Sequence, residues 1–336
     1  MNTLNVQGII QNNLTFDDVL LLPKHAKNVQ SRQDPDTSTV LGKVRLRSPI
    51  VSANMSTVTE ADMMVAMDAH GGLGILHRFL PIEVQKDHVN RASIKGVTDV
   101  AVSLGVGPDA MKDAMILARA GAAIFCVDVA HGDSAKVVNL LNILKKELPH
   151  VTLIGGNVAT EGGALRLVEA GADVIKVGIG PGSVCTTRAV AGCGVPQLAA
   201  VAACSQALKQ RGLNASVIAD GGIKTSGDIV KAIAVGADAV MVGRLLAGTD
   251  EVPQGGRYFG MASVAAGRIR PGIAAEGVIT EVPYQGPVAD ILENLRNGIQ
   301  TGMSYQDALN LSELRDDPLF IRITSAGFYE SGTRIN

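Results

Sequence analysis

Eight short apolar runs recur along the 336-residue chain, each closing on Gly, Asn, Asp or His, and helical patterns lie between them. They are residues Pro49 to Asn54, Leu73 to His77, Val100 to Gly105, Ala123 to Asp128, Thr152 to Asn157, Val174 to Gly178, Val217 to Asp220 and Ala239 to Gly243. Such continuous apolar character suits parallel strands covered on both faces. Amphipathic stretches such as Ala110 to Ala120, Ser134 to Leu148, Gly163 to Ala170 and Gly227 to Val235 separate them. The alternation predicts an α/β fold, and eight units at near-even spacing favour a closed (β/α)8 TIM barrel over a doubly wound sheet. Polar and glycine residues gather at the C-terminal ends of these runs, the end of such a barrel that carries chemistry.

Two segments fall outside the repeat. Leu14 to Arg47 is an N-terminal extension expected to cover one end of the barrel. Residues 250–284 follow the eighth run, are rich in Gly, Ala and Arg, and are expected to include a short flap over the site. No linker divides residues 1–336, which read as one catalytic domain. The formal charge of −2 implies no nucleic-acid or anionic-membrane partner. No apolar run approaches the ~20 residues that span a bilayer. Met1 to Asn13 lacks the pattern of a signal peptide. Cys126, Cys185, Cys193 and Cys204 show no C-x-x-C pair or zinc spacing, so they read as reduced thiols of a cytoplasmic protein.

The run Gly178-Ile179-Gly180-Pro181-Gly182-Ser183-Val184-Cys185-Thr186-Thr187-Arg188 places one thiol in a glycine-rich loop directly after a strand. A thiol there, beside two threonines and an arginine, suits a nucleophile better than a packing residue. Cys126 and Cys204 lie in apolar runs and read as core, and Cys193 as a bystander. Asp220-Gly221-Gly222 and Gly243 end the last two strands, where backbone N–H groups of such a barrel cradle phosphate; the competing reading is a pair of plain turns. Asp220 is placed to accept from a ribose diol. Asp128 suits either the ribose of a nicotinamide or the cap of the helix starting near Ser134. His77 and His131 have no metal-ligand spacing and read as structural, and Glu276 alone reads as solvated surface.

Taken together, these motifs resemble the IMP dehydrogenase/GMP reductase family along nearly the whole chain. The matching stretches are Leu14 to Leu21, Ser52-Ala53-Asn54-Met55, Asp128-Val129-Ala130-His131-Gly132, Gly156-Asn157-Val158, Gly178 to Arg188, Asp220-Gly221-Gly222, Tyr258-Phe259-Gly260-Met261 and Glu276-Gly277. The resemblance implies that Cys185 attacks C2 of a purine nucleotide while a nicotinamide exchanges hydride with that carbon. It implies catalytic roles for Cys185, Thr187 and Glu276. Gly222, Gly243 and Tyr258 would hold the phosphate, Asp220 the ribose and Met261 the base, with Ser52, Met55, Ser183, Gly221, Arg244, Gly260 and Ser263 as further substrate contacts. Asp128, Ser134, Asn157 and Gly178 would take the cofactor. Gly180, Gly182, Cys185, Glu330 and Ser331 would form a potassium site, and the assembly would be a homotetramer.

Within the family, two departures point to the reductase branch, which uses NADPH to convert GMP to IMP and ammonia. The short span from His77 to Val100 leaves no room for the regulatory CBS insert usual in dehydrogenases. The flap interval Val264 to Ala275 lacks their water-activating Arg-Tyr pair and has only Arg268 and Arg270. Ala189 to Pro196 and Ile323 to Ser331 instead resemble dehydrogenases, and Ile273 and Ala275 replace the arginine and serine usual in reductases. The alternatives are an IMP dehydrogenase that lacks the insert and makes XMP with NAD, and a nucleotide-binding barrel of little turnover.

Overall fold

The eight runs fold as parallel strands that close on themselves in this computed structural model. The structure describes residues 3–267, 272 and 274–332; Arg268, Arg270 and Ile273 lie outside them. The barrel strands are β1 (Ile50–Ser52), β2 (Leu73–Leu76), β3 (Ala101–Leu104), β4 (Ile124–Asp128), β5 (Thr152–Val158), β6 (Val174–Val177), β7 (Ser216–Asp220) and β8 (Ala239–Val242). The seam is β8 on β1, with Val240 opposite Ile50 and Val242 opposite Ser52. Around them stand α1 (Ala61–Ala69), α2 (Ile82–Ile94), α3 (Ala110–Arg119), α4 (Ala135–Glu147), α5 (Glu161–Glu169), α6 (Gln197–Gln210), α7 (Ser226–Ala234) and α8 (Val288–Tyr305). The expected (β/α)8 barrel is the observed fold.

Period-two alternation decides what faces the barrel axis. Ile124, Cys126, Ile154, Val174, Ile218 and Met241 pack together inside, while Phe125, Val127, Leu153, Ile175 and Val217 pack outward on the helices. Continuing each strand by the same count puts Asp128, Lys176 and Asp220 at the upper, C-terminal end of the interior. The barrel therefore passes from an apolar floor to a charged top.

Helix ends reinforce this register. After α3, α5 and α7 the chain repeats one turn, in which Gly121, Gly171 and Gly236 adopt positive φ. Ala122, Ala172 and Ala237 then donate back to Leu117, Leu167 and Ala232. This pattern satisfies the last carbonyls and returns the chain to the next strand. Thr225 and Asp228 form a capping box at the start of α7.

The N-terminal extension serves both ends. A hairpin of Thr39–Leu41 and Val44–Leu46 inserts Leu41, Val44 and Leu46 under the barrel floor. Lys43 Nζ ties it to the carbonyls of Pro149 and Val151, and Thr39 Oγ1 to that of Asp238. Thr15, Phe16 and Asp17 instead line the cleft at the opposite end. After β8, Arg257–Phe259 and Ile279–Glu281 form an antiparallel ribbon that carries the flap segment. Among the described residues no helix is long and apolar enough to cross a membrane.

Candidate active site

The upper end of the barrel opens into a cleft of about 1180 Å³. Its wall on one side is the loop after β6. Backbone hydrogen bonds zip that loop to the root of the flap: Thr186 N donates to Glu276 O at 2.9 Å and Val278 N to Val184 O at 3.0 Å. Cys185 is thereby paired across Gly277 and left half-buried. The pairing also brings the Glu276 carboxylate over Thr187. Thr187 Oγ1 donates to Glu276 Oε2 at 2.7 Å and lies 3.1 Å from Cys185 Sγ. A hydroxyl has one proton, so with that proton on Glu276 it is the thiol that donates to Oγ1. The three side chains form a directed path from sulfur to carboxylate.

A second group of residues suits an anion. Gly221, Gly222 and Gly243, from the loops after β7 and β8, line the cleft with Ser183, Arg244 and Tyr258. The buried Tyr258 hydroxyl meets the Ser183 side chain and the Arg244 backbone N–H. Burial pushes the phenol up to about 12, so it stays a neutral donor. Gly243 has no alternative here, because a Cβ would stand 2.6 Å from the Tyr258 hydroxyl oxygen. Gly222 packs against the Phe16 ring, which joins the extension to this loop.

At the cleft floor lie two carboxylates and one ammonium. Lys176, 3% exposed, reaches Asp220 Oδ2 at 2.6 Å and Asp128 Oδ1 at 2.9 Å. Asn157 Nδ2 adds a 2.8 Å hydrogen bond to Asp220 Oδ2 and another to the Gly178 carbonyl. Burial alone would lower the Lys176 ammonium, but Asp128 and Asp220 outweigh it and hold the group well above the usual lysine range.

The cleft gathers most of the residues singled out by sequence. Cys185, Thr187, Glu276, Met55, Ser183, Asp220, Gly221, Gly222, Gly243, Arg244, Tyr258, Gly260, Met261, Asp128, Asn157, Gly178, Gly180 and Gly182 all line it. Five do not. Ser52 is fully buried, its hydroxyl bonded to Thr59 Oγ1 at 2.8 Å. Ser263 is buried beneath the flap root. Ser134 flanks the start of α4. Glu330 and Ser331 are exposed at the end of the tail helix Ser325–Glu330, which packs on the Phe16–Asp18 turn.

His77 is buried and binds Glu60 Oε1 at 3.3 Å, accepting from Phe79 N through its other nitrogen, whereas His131 is exposed. Sequence reasoning missed Lys176 and Arg78, both in the cleft wall. The signal for Lys176 was present: it is the lone charge in Val-Ile-Lys-Val, two residues after an inward-facing valine. Arg78 donates to the Asp128 carbonyl at 3.1 Å.

Comparison with known proteins agrees with this geometry. The IMP dehydrogenase / GMP reductase domain matches residues 13–334. Inosine-5'-monophosphate dehydrogenase of Aquifex aeolicus is 32% identical over 98% of this chain and 96% of that protein. The enzyme of the same name from Borreliella burgdorferi is 33% identical over 95% and 96%. Among solved structures, a cysteine-to-alanine variant of Trypanosoma brucei GMP reductase in complex with guanosine 5'-monophosphate superposes with a TM-score of 0.89. It shares 32% identity over 96% of this chain and 98% of its own. The Cys185 loop, the barrel and these matches together place the chain in the IMP dehydrogenase / GMP reductase family of oxidoreductases.

Proposed function

We propose that the chain is a GMP reductase, converting GMP to IMP and ammonia with NADPH. The observation that carries this reading is the Cys185–Thr187–Glu276 path, set beside a flap interval, Val264 to Ala275, that contains no tyrosine. The path can take a proton from sulfur and return it to a leaving amine. Nothing in the flap sequence offers the Arg-Tyr pair that the resemblance associates with water activation.

The mechanism follows from the side chains. Cys185 passes its proton through Thr187 to Glu276 and adds to C2 of GMP, with the electron pair displaced onto the ring nitrogen. Glu276 and Thr187 then deliver that proton as the C2–N bond breaks, since ammonia is a far better leaving group than amide ion. The base remains joined to sulfur as a thioimidate. NADPH, when bound, would supply a hydride to C2. As C2 becomes saturated, the C–S bond breaks and its electron pair returns to Cys185. Tyr258, Ser183 and the backbone of Gly222 and Gly243 would hold the phosphate, Asp220 the ribose and Met261 the base. Asp128, Asn157 and Gly178 would hold the nicotinamide half. The cleft volume exceeds the ~300–1,000 Å³ of a pocket for one small ligand, which fits a mononucleotide beside part of a dinucleotide.

A second reading, IMP dehydrogenase, has its own support: relatives bearing that name align with at least 95% of the chain. In that reading the same path removes a proton from water, and the product is XMP. A potassium site on the Gly180–Gly182 segment, completed by Glu330 and Ser331 of a second copy in a homotetramer, is compatible with either reading. The exposed Phe328 and Tyr329 of the tail helix support such an assembly.

The test is a paired assay on purified protein. GMP with NADPH is followed by NADPH loss and IMP formation; IMP with NAD and potassium is followed by XMP. Turnover only in the first mixture supports the reductase. XMP from the second overturns it, and nucleotide binding without turnover in either would mark a binding protein.

A further inference from the structure

We propose that Lys176 is a positioning residue that couples the two halves of the cleft, setting Asp220 for the mononucleotide and Asp128 for the dinucleotide through one shared ammonium. The proposal rests on the roles given above to these two carboxylates.

Three observations carry it. Lys176 springs from β6, whereas its partners stand at the ends of the adjacent β7 and of β4, two strands away on the other side, so a single side chain inside the barrel joins strands on either side. It is sealed from water, at 3% exposure, while Asp128 and Asp220 are each about a fifth exposed and line the cleft. The lysine thus lies below the ligand, and the carboxylates are the surface it presents. Finally, Asp220 Oδ2 is saturated from below by Lys176 and Asn157, which fixes the carboxylate plane and leaves Oδ1 without a partner among the described residues. An acceptor held this way is preorganised for a diol.

The ammonium also separates two like charges. Both carboxylates approach the same nitrogen, and without it each would disfavour ionisation of the other. The titratable groups facing Lys176 are Asp128 and Cys126 from β4 and Asp220 from β7; burial pushes the Cys126 thiol far up, so it contributes no charge. A motion or protonation of one aspartate is therefore felt by the other through a single rigid contact. This is a physical route for nucleotide binding to alter dinucleotide affinity.

Titration calorimetry of five proteins tests this: wild type, Lys176→Met, Lys176→Arg, Asp128→Asn and Asp220→Asn, with GMP and NADP+ as separate probes. In Lys176→Met both affinities fall at least tenfold in the same protein. Lys176→Arg restores most of both affinities. A merely structural lysine would lower thermal stability while leaving both affinities of the folded protein unchanged. Folded Lys176→Met with wild-type affinities overturns the proposal. If Lys176→Met does not fold, Asp128→Asn decides. The ammonium is then left to Asp220 alone, and GMP affinity measured without dinucleotide falls several-fold; an unchanged value overturns the coupling. If neither Asp220→Asn weakens GMP nor Asp128→Asn weakens NADP+, the ligand assignments themselves fail, and the proposal falls with them.

Discussion

Thr187→Val removes one oxygen from the centre of the site and little else. Valine matches the shape of threonine, and residue 187 opens the short helix Thr187–Ala191, where a β-branched side chain is already accommodated. Two contacts disappear: the 2.7 Å hydrogen bond to Glu276 and the 3.1 Å contact with Cys185 Sγ. A hydrogen bond to a charged group is worth about 1.5–3 kcal/mol, and each 1.36 kcal/mol is a factor of ten in rate, so the first contact alone predicts a loss of roughly 10- to 150-fold. Losing the proton path adds to this, since general acid catalysis contributes about 10²–10⁴. The expected fall in kcat for GMP reduction is of order 10³. KM for GMP should change little, because the residues proposed to hold phosphate and ribose, Tyr258 and Asp220, stand on other loops. Steady-state NADPH oxidation with quantified ammonia is the assay, and circular dichroism confirms folding. A folded variant with kcat within threefold of wild type would refute the path.

Gly243→Ala drives a methyl group to 2.6 Å from the Tyr258 hydroxyl oxygen, so that ring or the β8 loop must move; KM for GMP should rise at least tenfold, with a smaller change in kcat. Leu41→Ala opens a cavity in the hairpin under the barrel floor, where Leu41 is 2% exposed, and should cost about 2–5 kcal/mol in chemical denaturation. Because the plug lies at the far end, turnover at 25 °C should stay within twofold. Stability should also fall with acid. A hydrogen bond from His77 and the nearby His88 hold the Glu60 carboxyl below its usual range, and burial holds the His88 ring below its usual 6.5. Both groups favour folding in their deprotonated forms. The His88 contribution is complete above about pH 6.5 and is lost as pH falls through its lower folded-state value; that of Glu60 goes at still lower pH. The melting temperature should drop from pH 7 to pH 5, and His88→Gln should flatten part of that slope. An unchanged slope would exclude His88 as its source.

The barrel was legible because strand and helix periods differ and both repeat. Eight apolar runs of similar length leave few architectures, and Gly121, Gly171 and Gly236 mark the returns to the sheet at like positions. The cleft position of Cys185 was legible for a related reason: it stands in a run of glycines and hydroxyls where packing offers no use for a thiol. The losses also have physical causes. Ser52 and Ser263 carry hydroxyls near the site in sequence, but strand alternation turns Ser52 outward with Ile50 onto Thr59, and Ser263 is buried at the flap root, which a short motif does not reveal. Ser134 lies only six residues past Asp128, yet the turn after β4 carries it to the start of α4 and out of the cleft lining. Lys176 was missed for the opposite reason: an apolar strand was read as uniformly apolar, although a charge two residues beyond Val174 faces the axis. Glu276 has no local signal at all. Its place over Thr187 comes from backbone pairing with the Cys185 loop, a contact across ninety residues of chain that only the fold supplies.

The path from Cys185 to Glu276 also separates the two readings of the reaction by the sign of their pH dependence. In GMP reduction the relay loads itself, because the proton leaving sulfur during attack is the one returned to the departing amine. No exchange with solvent is needed between adduct formation and C–N cleavage. Ammonia release in a single turnover should therefore be nearly insensitive to pH between about 6 and 8. In IMP oxidation followed by hydrolysis, the proton from sulfur has no amine to receive it. It must reach solvent before the relay can accept a second proton from water, so hydrolysis of the adduct should accelerate as pH rises. Glu276→Gln discriminates further. A glutamine can hold Thr187 by a hydrogen bond but cannot carry the proton, so deamination should fall by at least 10² while GMP affinity persists. Rapid-quench measurement of ammonia across this pH range is decisive: a flat profile lost in Glu276→Gln supports self-loading, and a profile rising with pH in the wild type would assign the relay to water instead.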